Sequence, residues 1–297
     1  MRWSRGNVLV QAFSPLILAV AGGVVGESVY WMATHQFGFD AVKMRWTYQL
    51  GWQVPFPELR EIPSGLFKMG SKGREGDEDE IPEHEVTFRE PFYMAATEVT
   101  FAQYDAFHKV TGDRYRRPDD VWDREEMPVI DVGWSRARAY ANWLSIMTGK
   151  SCRLPSEAEW EYACRTGTTT RYAFRDVITE NDANFSGNVG MTTEAGSYPA
   201  NDWRLHDMHG NVWEWVEDCW HGSYNGAPED GRAWLEEGGG DCGLRVLRGG
   251  SWDGFRGDAR CADRDWHDSD DRGRGDPYYR GSDIGFRVLC LSPIFDR

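Results

Sequence analysis

The sequence predicts an α+β fold with little regular secondary structure, preceded by an N-terminal transmembrane helix. Three observations lead there. Helical periodicity with capping signals is confined to three short stretches between Thr100 and Gly167. Beyond Gly167 come short aromatic strands set in long Gly/Asp/Asn loops, and a few helices followed by an irregular β region is the α+β pattern. The first 26 residues differ in kind, because the run from Val8 to Val25 is apolar and carries no charged residue.

That run is close to the roughly 20 residues needed to span a bilayer. Arg2 and Arg5 before it and Glu27 after it set an N-inside orientation, and Trp3 and Tyr30-Trp31 supply interfacial anchors. Residues 6–26 are therefore expected to sit in the lipid bilayer, with residues 1–26 as a retained single-pass anchor. The rival reading is a cleaved signal peptide ending near Ala19-Val20-Ala21. Residues 27–61 form a connector whose Trp31, Trp46 and Trp52 are too many for a flexible linker. It would lie on a membrane surface, on another subunit or on its own domain. His35 within it reads as a surface residue.

Residues 62–297 form the globular domain. Gly65–Gly70 is an entering strand, Ser71–Glu80 a charged solvated loop, and Glu85–Phe88 and Pro91–Met94 further strands. Thr100 with Gln103 is a capping box, Phe101, Tyr104, Ala106 and Phe107 are apolar helix positions, and Gly112 ends that helix. Ser135 is the expected N-cap of a second helix, with Ala137, Tyr140, Ala141 and Leu144 at helical spacing. Ser156 and Glu159 form another capping box ahead of Trp160, Tyr162 and Ala163. Near the C-terminus, Arg248–Trp252 and Ile284–Val288 read as buried strands flanking a long Asp/Arg/Gly segment.

The composition narrows function. The chain has 297 residues and 40% hydrophobic content, enough for a packed core. A net charge of −15 excludes a nucleic-acid partner, which would require a basic footprint. The six cysteines form no CxxC pair, so a zinc site is unsupported.

GLFKMGS (65–71), EVT (98–100), PVIDVGWSRARAYANWL (128–144), RLPSEAEWEYACRTG (153–167), LHDMHGNVWEW (205–215), RVLRGGSW (245–252) and IGFRV (284–288) occur in order. Together they resemble the sulfatase-modifying-factor family, which includes the formylglycine-generating enzymes, over about residues 60 to 291. The resemblance implies the family's variant of the C-type-lectin fold. It also raises the question of catalysis, since one fold hosts enzymes and binding modules alike.

The family's oxidases hold copper on two cysteine thiolates after the GGS-aromatic motif, a soft donor set suited to Cu(I). Here the matching stretch reads Asp253-Gly254-Phe255-Arg256-Gly257-Asp258-Ala259-Arg260, with Gly254 and Ala259 near where the thiols would be. Copper is therefore not expected, and no catalytic residue is named. A second class of family enzymes, the iron-dependent sulfoxide synthases, uses a histidine triad with no counterpart here. His206 and His209 read as structural, and His221 and His267 as solvent-facing.

The resemblance pairs Cys164 with Cys261. Cys219 and Cys242 bracket a loop that a bridge would staple, and Cys152 and Cys290 remain at positions where the family often has a bridge. The resemblance also implies a calcium site around GNxWEW, held by the side chains of Asp207 and Glu214 and the carbonyls of Gly210 and Val212, hard oxygen donors as Ca²⁺ requires. In the alternative, Asn211 and Glu214 merely cap backbone amides. A second family calcium site at Asn184 and the Phe185 carbonyl lacks its other donors. The run 253–283 reads as an ion-paired exposed surface.

The expected protein is thus a non-catalytic, membrane-anchored, extracytoplasmic module whose partners are other membrane-protein subunits. The alternatives are a family enzyme of unknown substrate and a ligand-display protein of the retroelement variable type.

Overall fold

Capping residues set the helices. The computed structural model describes residues 54–73, 75–112, 125–268 and 281–293. The expected anchor (1–26) and most of the connector lie outside them; among the described residues no helix is long and apolar enough to cross a membrane. In α1 (Phe101–Thr111) the Thr100 hydroxyl accepts from the Gln103 N–H, the Gln103 side chain reaches back to Thr100, and left-handed Gly112 ends the helix. Ser156 and Glu159 cap α3 (Glu157–Arg165) in the same way. The middle helix α2 (Trp134–Thr148) departs from expectation, because its N-cap is Gly133, not Ser135. The Gly133 carbonyl already accepts from Arg136 and Ala137, so the helix begins before the serine.

One antiparallel sheet orders β1 (Leu59–Ile62), β4 (Phe92–Ala95), β10 (Leu289–Cys290) and β5 (Cys152–Arg153) side by side. Its first strand opens at Leu59, and Val54 and Phe56 pack on the core ahead of it, so the folded domain starts before residue 62. A second sheet has the order β8 (Arg264–Asp268), β7 (Asp241–Arg248), β6 (Trp213–Trp220), β9 (Ile284–Gly285), with β9 parallel to β6. Strands β2 (Gly65–Met69) and β3 (His84–Phe88) form a separate hairpin. Of the two terminal stretches expected as strands, Arg248–Trp252 keeps only Arg248 in β7. Gly249 and Gly250 take left-handed φ values of 99° and 72° that break the ladder.

Aromatic rings fill the core between α1, α2 and the C-terminal strands: Tyr104, Phe107, Tyr140 and Trp143 meet one another and Phe286. Three disulfides join distant parts. Cys152–Cys290 links neighbouring β5 and β10, Cys164–Cys261 ties α3 to the approach to β8, and Cys219–Cys242 closes the excursion between β6 and β7.

Several charged residues read as solvated are in fact inside. Glu80, at the end of the loop that opens at Ser71, is fully buried and receives both Arg260 guanidinium nitrogens at 2.7 and 2.9 Å. Arg264 reaches Glu157 at 2.8 and 2.9 Å, and Arg248 reaches Glu161 at 2.6 Å. The stretch from Arg260 to Arg264 is therefore a buried ion-pair seam and not an exposed surface; much of the remainder to 283 lies outside the described residues. The two histidines expected in solvent are also drawn in. His221 is 6% exposed and stacked on Trp234 with centroids 3.5 Å apart, and half-buried His267 sits edge-on to Trp215. Both rings lie over the second sheet or its loop, where aromatic surface is plentiful.

Arg260 is shared, since Asp263 also accepts from it at 2.6 Å. Burial pushes the Asp263 carboxyl up from 3.8 to about 8 against the pull of Arg260, with Glu80 and Asp258 adding to the rise. The folded state then holds a proton that the unfolded chain has lost, so this group lowers stability as pH rises from about 4 to about 8. Asp263→Asn, neutral throughout, is expected to flatten that slope; urea unfolding of both proteins at pH 5 and pH 8 measures it. An unchanged slope would exclude Asp263 as its source.

Candidate functional site

The loop from Leu205 to Trp213 is built on unusual backbone. Asp207, Gly210 and Asn211 all have positive φ, at 54°, 79° and 64°. Such conformations persist only where the surroundings over-determine them, and they cluster at functional sites. At Gly210 the cause is close approach: a Cβ there would lie 2.0 Å from the Asn184 carbonyl oxygen. That same oxygen accepts from the Asn211 N–H at 2.8 Å. The loop thus delivers Asp207, Asn211 and Glu214 to one buried place, where Glu98 arrives from the turn after β4 and Arg287 from the last strand pair.

Arg287 forks onto Glu214, with Nη2 to Oε1 at 2.6 Å and Nε to Oε2 at 2.7 Å, and Trp160 Nε1 adds a bond to Oε2 at 2.8 Å. Glu214 is therefore engaged by an arginine rather than by backbone amides. Asn211 donates from Nδ2 to Glu98 Oε1 at 3.0 Å and accepts the Thr193 N–H at 2.9 Å. Asp207 Oδ2 accepts from Gly196 N–H at 2.5 Å.

Three buried carboxylates consequently share one guanidinium. Three buried oxygens at this site have no hydrogen-bond partner among the described residues: Glu98 Oε2, Asp207 Oδ1 and Asn184 Oδ1. Burial pushes the Asp207 carboxyl up to about 6, against the Gly196 hydrogen bond and Arg287. Burial, then the neighbouring Asp207, pushes Glu98 well above the usual carboxylate range. A negatively biased set of dry oxygens fits a hard cation, which satisfies orphaned oxygens and charge together. The fit is uneven across the four expected donors. Asp207 keeps an open oxygen, Gly210 and Val212 lie on the same loop, and both Glu214 oxygens already have partners. Glu98 was not expected from the sequence; its signal was a lone carboxylate after the apolar FYMAAT stretch.

Beside this cluster lies the Ser251–Ala259 loop, which includes most of the Asp253–Arg260 stretch expected from the resemblance to match the family's copper-thiolate segment. It is rigidly held. Ser186 N–H donates to the Gly254 carbonyl and Gly187 N–H to that of Trp252, both at 2.7 Å, and Tyr172 OH donates to that of Arg256 at 2.8 Å. His209 is buried, donates from Nδ1 to the Ala259 carbonyl at 2.8 Å and accepts the Ala173 N–H at Nε2. Both its nitrogens are spent on backbone, and His206 likewise bonds the Tyr198 carbonyl, so each has a structural role. Gly254 and Ala259 offer no sulfur, and all six cysteines of the chain are in disulfides. A cavity of about 10 Å³ lined by Phe174, Asp207 and His209 is roughly one water in size, too small for a substrate.

Comparison with known proteins agrees with this architecture. The family model for the sulfatase-modifying factor enzyme 1-like domain matches residues 52–290. The solved structure of PvdO from Pseudomonas aeruginosa is similar at 35% identity and a TM-score of 0.69, covering 80% of this chain and 95% of that one. The formylglycine-generating enzyme of Streptomyces coelicolor is 32% identical over 253 residues, 64% of this chain and 77% of the relative. A relative named serine/threonine-protein kinase pkn1, from Chlamydia caviae, is 37% identical over 257 residues, 79% of this chain and 38% of its own length. Against that relative the chain spans well under half the length.

Proposed function

The chain belongs to the sulfatase-modifying factor enzyme 1-like family, and from that premise we propose that it is a non-catalytic binding module of the family, membrane-anchored, serving as an extracytoplasmic accessory subunit of a membrane-protein complex. One observation carries the reading: Gly254 and Ala259 occupy the segment where the family's oxidases place their copper thiolates, and every cysteine of the chain is tied in a disulfide. Three bridges support an oxidising, extracytoplasmic location. The apolar run from Val8 to Val25 supports the anchor.

The test is purification of the full chain from native membranes in mild detergent. Stoichiometric co-purification with an integral complex is expected, together with no oxygen consumption on a cysteine-containing peptide in the presence of copper. Turnover of that peptide would instead favour an enzyme of the family.

Calcium is the ion this module would hold, on Asp207 and Glu98 with the carbonyls of Gly210 and Val212, and with Glu214 shared with Arg287. It would act structurally, neutralising buried charge and fixing the strained loop. At about one hundred times its dissociation constant it would add about 2.7 kcal/mol, or roughly 5–10 °C in a domain of this size. Thermal unfolding with calcium and with EGTA checks this. Asp207→Ala is expected to abolish the difference, and equal melting of the wild type under both conditions would exclude the site.

A further inference from the structure

The outer end of the second sheet shows tryptophan to solvent. Trp266, on the outer strand β8, is 46% exposed and pairs with Val246; Trp220 ends β6 beside its partner Asp241. Their ring centroids are 6.3 Å apart with planes tilted by 50°. The arrangement is fixed from beneath. The Arg264 guanidinium lies 4.6 Å from the Trp220 ring centroid and is itself bound to Glu157 and to the carbonyls of Asp79 and His221. The cation-binding face of Trp220 is thus already filled on its buried side, whereas among the described residues no cation lies over Trp266.

Carboxylates surround the pair. Exposed Asp241 neighbours Trp220; its Oδ1 accepts from the Gly243 N–H at 2.9 Å. The bond from Arg264 to the Asp79 carbonyl brings exposed Glu78 to this end of the sheet, while Glu80 of the same turn is buried against Arg260. The His221–Glu237 contact brings an exposed acidic loop alongside. An aromatic face alone would suit a neutral sugar. Acidic groups on several elements around it, in a chain of net charge −15, select a cation instead and oppose a second copy of the same acidic chain.

We propose that the Trp220–Trp266 face docks a basic, extended segment of a partner protein, with an arginine or lysine over the Trp266 ring and its neighbours among the surrounding carboxylates. The inference rests on the reading of the chain as a binding module and gives the chemistry of its partner. Cation–π contact provides the directional part and screened charge attraction the rest.

The full chain, in a detergent without a sugar headgroup, is titrated with fluorescein-labelled hexa-arginine and followed by anisotropy, with labelled hexaglutamate as the control. Binding is expected for hexa-arginine alone, weakening with added salt. Trp266→Ala should reduce affinity about tenfold. Asp241→Lys should do the same without removing a ring, and Phe255→Ala, an exposed aromatic elsewhere, should leave affinity unchanged. Unfolding temperatures of all variants show that they are folded. Hexa-arginine binding no tighter than hexaglutamate, affinity unmoved by both Trp266→Ala and Asp241→Lys, or displacement by neutral chitotriose would each overturn the proposal. If these tests fail while the chain still co-purifies with a membrane complex, only the docking face is wrong. Peptide binding with no complex recovered would count against the accessory-subunit reading instead.

Discussion

Replacing Arg287 by methionine is expected to destabilise the domain by about 3–5 kcal/mol, the range for removing one partner of a buried ion pair. Arg287 is fully buried and supplies the cation that Glu98, Asp207 and Glu214 share. Its loss leaves three carboxylates in a dry site, which must take up protons or admit water. The double variant Arg287→Met with Glu214→Leu removes both charges of the direct pair and should recover much of the loss. Urea unfolding of the two single variants and the double variant yields the coupling between the residues. A near-neutral Arg287→Met would show that the guanidinium is not what balances this charge.

The second large effect is expected from the disulfides. Cys152 and Cys290 are 138 residues apart, but the Cys164–Cys261 bridge inside that span short-circuits 97 of them, so replacing both by serine frees a loop of about 40 residues and should cost about 4 kcal/mol by the chain-entropy relation. Cys219 and Cys242 span only 23 residues, and the same relation gives about 3 kcal/mol. Denaturant midpoints of the two serine pairs, compared without reductant, should fall in that order. The reverse order would mean that native packing around the bridges, and not the freedom of the open chain, sets their worth.

What could be read from the sequence was local. The caps at Thr100 and Ser156 form as expected because both bonds of a capping box close within four residues. Gly133 displaced Ser135 because a glycine carbonyl starts a helix without any side-chain signal. Glu80, Arg260, Arg264 and Glu98 were misplaced or overlooked for another reason. Their partners lie far along the chain, so each looks like an ordinary surface charge until the fold brings the pair together: Glu80 meets Arg260 across 180 residues, Arg264 meets Glu157 across 107, and Glu98 meets Asn211 across 113. His221 follows the same rule, since Trp234, on which it stacks, sits inside a loop with no periodicity. That residues 253–260 contain no cysteine, by contrast, is visible at once, because it is a matter of residue identity.

The short stretch from Ile284 to Cys290 contributes β9 to one sheet and β10 to the other, and between them the carbonyls of Phe286 and Val288 accept from Val99 and Ala95. Without this stretch, β4 and β5 have no strand between them, Glu214 has no arginine, and Cys152 has no partner. Both sheets thus close on seven residues that lie far along the chain from β4 and β5, so neither can complete its pairing from neighbouring segments alone. Deleting residues 284–290 would be far more damaging than their number suggests.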